Sequence, residues 1–163
     1  MIFWIEALVA CVVFTIIVVG SVNKNPLAWI SDYPPAIQAR AKELGLIPQE
    51  QKRVPASFIA KKAVVSLLVV VLLTLLLVYV NGAETFLEGF LLSYGLWAVV
   101  AWYDALVLDC IWFCHSKKIV IPGTEDMVKS YHDYGFHIKM SMIGMLLGLP
   151  VSLLAGLGVM LVA

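Results

Sequence analysis

The chain has 163 residues, 62% hydrophobic and 13% charged, and its 11 basic and 11 acidic residues cancel to a net charge of zero. Soluble domains run at about 45–50% apolar and about 25% charged, and so short a chain has too much surface for its volume to hide that excess in a water-soluble core. Lipid is the expected solvent, and with no large basic face to release phosphate counterions nucleic acid is not an expected partner.

A spanning helix needs about 20 mostly apolar residues, and four stretches qualify. The first, about 2–22, is interrupted only by Glu6. It lacks the basic start of a secretory signal, since the first positive charge is Lys24, and no small-residue cleavage site follows, so it reads as a retained helix. The connection 23–62 carries Lys24, Arg40, Lys42, Lys52, Arg53, Lys61 and Lys62. Within it Ser31-Asp32-Tyr33-Pro34-Pro35 predicts a turn into a helix with proline in its first turn. Ile37, Ala41 and Leu44 then recur at helical spacing, and Gly45 is a natural stop. This predicts a short amphipathic helix lying at the lipid headgroups.

The second span, about 63–83, has no charge, and Leu67 to Leu77 is almost wholly Leu and Val, the composition of the most lipid-exposed helix. The third, about 86–115, contains Asp104 and Asp109. In the connection 116–135, Pro122-Gly123 marks a tight turn. Thr124 is placed to cap a helix running from Glu125 toward Tyr134. The fourth span, about 136–163, repeats Gly144, Gly148, Ser152 and Gly156 every four residues. Such a stripe lets another backbone approach closely, either the third span or another subunit. Pro150 frees the carbonyl of Leu146.

Backbone amides cannot stay unpaired in hydrocarbon, so each stretch must be helical. The expected fold is an all-α, polytopic four-transmembrane-helix bundle forming one membrane domain. Connections one and three hold the basic residues, with Lys117, Lys118 and Lys129 in the third. The connection between spans two and three, around 81–88, holds Glu84 and Glu88 and no lysine or arginine. The excess of basic residues places connections one and three in the cytoplasm and both termini outside, as in a multi-pass plasma (inner) membrane protein. Membrane lipids are expected partners, and the fourth span suggests a homo-oligomer or a membrane partner subunit.

Charges inside a bilayer are expensive and mark function. In an α-helix, Asp104 and Asp109 lie about 140° apart and point at different spots. The fourth span enters from the same side and brings His137 and Lys139, with Asp133 one turn before. Asp109, His115, Asp133, His137 and Lys139 are expected near the cytoplasmic end, with Asp104 deeper. Several readings follow from this set. Asp109 pairs with Lys139 or His137 and only fixes register; Asp104 serves a path for a proton, ion or small polar solute; Asp109, Asp133 and His137 hold a divalent metal; or His115 or His137 ligates haem. Carboxylates with imidazoles suit Zn, Mn or Fe, but no H-E-x-x-H spacing is present. Cys110 and Cys114, at i and i+4, read as small hydrophobes rather than soft-metal ligands.

The leading expectation is a small membrane protein binding or conducting a cation, proton or small polar solute. The alternatives are a membrane-embedded, metal-dependent enzyme working on a lipid or isoprenoid, and a helper subunit whose charges only set assembly. No phosphate loop, nucleophile elbow or dinucleotide fingerprint is present.

Overall fold

A computed structural model describes residues 2–49 and 55–163. Lys52 and Arg53, two of the basic residues of the first connection, lie outside the described residues. Helix α1 is Ile2–Lys24, a 3-10 stretch follows at Pro26–Asp32, and α2 is Pro35–Glu43. Helix α3 is Ala56–Tyr79. Helix α4 is Phe86–Tyr103, and it continues without a break as a π-helical segment, Asp104–Phe113. After a short 3-10 turn at Lys117–Ile119 come α5, Val128–Tyr131, and α6, Tyr134–Val162.

The chain is all-α, with no strand among the described residues. Four segments are long and apolar enough to cross a membrane: Ile2–Lys24, Ala56–Tyr79, Phe86–Phe113 and Val128–Val162, the last containing α6. This is the four-span architecture that hydropathy requires. Helix α3 begins ahead of Ala63 and takes in Lys61 and Lys62. Lysine stems are apolar and can run along a helix to reach water, and the Lys62 ammonium lies 4.9 Å from the centroid of the Phe58 ring. The barest span is α1, not α3: 11% of its most apolar stretch is buried inside the protein against 17% for α3. Val70, Thr74 and Leu77 of α3 are buried, which its Leu/Val composition alone does not reveal.

The chain divides into two compact units. The first comprises described residues 2–9, 55–101 and 143–163. Its core is Leu77, Ala83, Ala155 and Val159, with Leu73, Val78 and Leu92 packed on it. Small residues set how close α4 and α6 come. A methyl added at Gly89 would lie 2.7 Å from the Val159 side chain and 3.1 Å from the Gly156 backbone. One added at Gly156 would lie 2.8 Å from the Phe86 carbonyl oxygen, and one at Gly148 would collide with the Trp97 ring. The Trp97 indole N–H donates to the Gly144 carbonyl at 3.1 Å. Gly148 and Gly156 of the stripe on the fourth span therefore receive the third span of the same chain, while the space beside Gly144 is open. Helix α4 starts with a capping box: Thr85 Oγ1 accepts from the Glu88 N–H, and Glu88 accepts from the Thr85 N–H.

The second unit comprises described residues 10–49 and 102–142. Its core is Val22, Tyr33, Ile37, Phe113, Ile119, Ile121 and Tyr131. Helix α2 ends in a Schellman motif, with Gly45 at φ 71°, its N–H on the Lys42 carbonyl, and the Leu46 N–H on the Ala41 carbonyl. Of its apolar positions Ile37 and Ala41 are buried against protein, whereas Leu44 stays exposed. Thr124 also departs from expectation. It is wholly buried and caps no helix, and α5 starts only at Val128. Its hydroxyl donates to the Ile121 carbonyl at 2.7 Å, so the Tyr131 hydroxyl, 2.7 Å away, must donate to Thr124. Tyr131 in turn accepts from the Ile121 N–H at 3.0 Å. Three groups thus close a ring of hydrogen bonds in which every proton is used. Tyr33 ties the first connection to the third by donating to the Ile119 carbonyl at 2.9 Å. Burial, then the neighbouring Tyr131 and Asp32 charges, push the Tyr33 phenol well above its ordinary pKa.

Candidate intramembrane site

The π-helical segment decides the geometry. Its hydrogen bonds run from residue i+5 back to residue i, as from the Cys114 N–H to the Asp109 carbonyl. Residues five apart therefore stack one turn above the other, as residues four apart do in an α-helix. Asp104 and Asp109 are five apart and share a face. The 140° separation holds only for α geometry, and this is the correction the structure makes to the sequence reading. Asp109, Asp32 and His137 all lie within electrostatic range of Asp104.

Across from this face stands His137, near the start of α6 and 2% exposed. Its Nδ1 lies 3.4 Å from Asp109 Oδ2, whose side chain keeps 25% of its surface. A carboxylate only accepts, so this contact favours a proton on Nδ1 over one on Nε2. Nε2, at the far side of the ring, is buried and has no hydrogen-bond partner among the described residues. The rings of Phe113, at 5.2 Å, and Phe136, at 5.3 Å, stand edge-on to the imidazole and supply apolar walls. A buried polar atom without a partner is uncommon and calls for a ligand, a water or a catalytic role.

The other residues singled out from sequence lie elsewhere in the same unit. Asp133 is exposed and caps α6, its Oδ1 accepting from the Phe136 N–H at 3.0 Å. Lys139 is exposed. His115 is exposed, with Nδ1 3.0 Å from the Ile111 carbonyl. Among the described residues no three His, Cys, Asp or Glu side chains are grouped to hold a metal ion, and Asp109 and His137 are two donors. Two contributions were not visible in the sequence. Asp32 comes from the end of the 3-10 stretch in the first connection, and its loop position gave no signal. Tyr103 precedes the first aspartate and donates to Thr15 of α1 at 2.8 Å, because the Thr15 hydroxyl proton is used on the Cys11 carbonyl.

Comparison of the chain with protein-family models, with curated proteins and with solved structures returned no match. Function must be argued from this geometry.

Proposed function

We propose that this protein binds, and passes across part of the membrane, a proton or a small cationic solute, using Asp104, Asp109 and His137. The observation that supports this reading most is the state of His137. Asp109 lies 3.4 Å from Nδ1 and favours a proton there, and in this reading Nε2 is the buried lone pair that takes a proton or a solute N–H. Asp104, one π-turn from Asp109, is the second acceptor, so a proton or cation has two stations on one face. In this reading the third connection, with Lys117, Lys118 and Lys129, faces the cytoplasm, both termini face outward, and the membrane is the plasma membrane.

The test is proton flux in proteoliposomes carrying an internal pH dye, driven by a potassium-diffusion potential. The wild-type chain should acidify or alkalise the lumen faster than empty vesicles. Asp109→Asn and His137→Gln should each abolish the excess flux, Asp104→Asn should reduce it, and Asp126→Asn on the exposed third connection should leave it unchanged. Equal flux in wild type and His137→Gln would exclude the proposal for protons, and the same protocol with sodium or an organic ammonium ion covers the cationic solutes.

A further inference from the structure

The first unit holds a carboxyl group that the Asp104–His137 site does not use. Glu6 is the one acidic residue of α1 and is partly buried, and Ala7 beside it is 2% exposed. Its Oε1 accepts from the Asn81 side-chain Nδ2 at 2.8 Å. Its Oε2 is shielded from solvent and has no hydrogen-bond partner among the described residues.

Asn81 is held in place by the way α3 ends. Its own N–H donates to the Leu76 carbonyl at 3.2 Å. Gly82, at φ 66°, then turns the chain back, so that the Gly82 N–H reaches the Val78 carbonyl at 3.2 Å and the Ala83 N–H reaches the Leu77 carbonyl at 2.9 Å. Leu77 and Ala83 belong to the core of this unit. The Asn81 backbone is thereby fixed just past the negative end of the α3 dipole.

A carboxylate oxygen cut off from water needs a positive partner. A proton does not meet that need, because on Oε2 it would be a buried donor with no acceptor among the described residues. A basic side chain does not meet it either. The only one in α1 is Lys24, at its far end, and residues 81–88 hold no lysine or arginine. A metal cation does, since carboxylate and amide oxygens suit hard cations and the end of α3 adds partial negative charge on the same side. Charge then selects the ion. One carboxylate balances one positive charge, and excess charge away from water is costly. Among the described residues no three His, Cys, Asp or Glu side chains gather as a divalent ion would require. Glu84 and Glu88 do not enlarge the set: Glu84 is exposed, and Glu88 Oε2 already accepts from the Glu84 and Thr85 N–H groups, both at 3.0 Å.

We infer that Glu6 and Asn81 form a binding site for a monovalent alkali cation, sodium or potassium, with Glu6 Oε2 as its charged ligand. The inference is independent of the proton or cation path proposed above, because neither residue belongs to that path.

The experiment is carbon-13 NMR of glutamate labelled at the side-chain carboxyl, in the full-length protein in phosphatidylcholine nanodiscs. Sodium chloride replaces N-methylglucamine chloride at constant ionic strength in one arm, and potassium chloride replaces it in the other. The Glu6 signal, identified by its loss in Glu6→Gln, should shift saturably in at least one arm. Asn81→Ala should weaken that response about tenfold or more, the size of one hydrogen bond to a charged group. Glu84→Gln should leave it unchanged. Where Asn81→Ala does not fold, Glu6→Asp, which withdraws the carboxylate by one methylene, is read in its place and should show the same loss. Aspartate carries no label, so Asp104 and Asp109 are silent and the result stands apart from the flux measurement. A Glu6 signal unmoved by both ions would overturn the inference. So would a shift that fails to saturate or is matched at Glu84, which marks screening alone, and so would a saturable shift with calcium and none with sodium or potassium.

Discussion

The two halves of the third span share a sequence character and differ in what they do. Phe86–Tyr103 is α-helical, and its buried positions, Gly89, Ser93 and Leu96, are small or apolar. Asp104–Phe113 is π-helical, and it carries both intramembrane aspartates. The first half is built to let another helix approach. The second widens the turn so that two costly carboxylates share one face and one environment. Long π segments are uncommon because their hydrogen-bond geometry is poorer, and they recur at functional sites. The comparison teaches that packing and chemistry have been separated along a single helix.

The largest expected effect lies in the packing half. Gly148→Leu would place a branched side chain where the Trp97 ring stands. Overpacking of this kind costs about 1–3 kcal/mol, and the α4–α6 contact leaves no room for relief. Thermal melting in detergent should fall by several degrees. An unchanged melting temperature would show that this face is not closed as described.

Tyr131→Phe breaks the support of the second half at a distance. Tyr131 packs edge-on against Tyr33 at 6.1 Å, and Tyr33 packs against Phe113, the last π-helical residue, at 4.7 Å. The lost hydroxyl leaves the buried Ile121 N–H without an acceptor, a loss of about 1–3 kcal/mol. Hydrogen exchange at Ile121 should accelerate, whereas exchange along Phe86–Tyr103 should stay as in wild type.

Asp109→Asn should do little to the fold and much to the site. Asparagine keeps the shape and an acceptor, so the stability loss should stay near the net value of one hydrogen bond, about 0.5–1.5 kcal/mol. The proton or cation flux should disappear. A large loss of stability with flux retained would make Asp109 a purely structural residue.

What was legible in the sequence follows from the range of each interaction. Span positions are readable because the cost of polar groups in lipid is summed over about 20 residues. The glycine stripe is readable for the same local reason, but its partner is not: the contacts of Trp97 and Phe86 with Gly148 and Gly156 join residues far apart in sequence. That Asp109 and His137 belong to one end of neighbouring spans follows from depth. Which residues meet there does not, because α-helical arithmetic sends Asp104 and Asp109 to different sides. The run from Asp104 to Phe113 has nothing in composition to mark π geometry. The burial of α2 and of Thr124 was hidden for a further reason. A polar connection with scattered apolar residues looks solvated until Tyr33, Tyr131 and Phe113 come together over it.

The smallest effect sharpens the contrast between the site and its surroundings. Glu125 is fully exposed, and hydrogen bonds from its own and the Gly123 backbone N–H lower its pKa in the folded protein. A depressed carboxylate adds stability above its unfolded pKa, and that stability is lost as pH falls through the folded value. The melting temperature should therefore decline slightly on acidification below the ordinary carboxylate range, and Glu125→Gln should flatten that decline. A decline of the same size in Glu125→Gln would assign it to other carboxylates.

The central claim is that Asp109 holds His137 by Nδ1 and leaves Nε2 open inside the membrane. Nitrogen-15 NMR of selectively labelled histidine in bilayers reads this directly. The predicted spectrum of His137 has a protonated Nδ1 in dipolar contact with the Asp109 carboxyl carbon and a distinct signal for Nε2. If the proposed function holds, adding a permeant cation should move the Nε2 signal, while Asp109→Asn should weaken the Nδ1 contact. A proton resident on Nε2 with Nδ1 bare, or no contact between His137 and Asp109, would contradict the account.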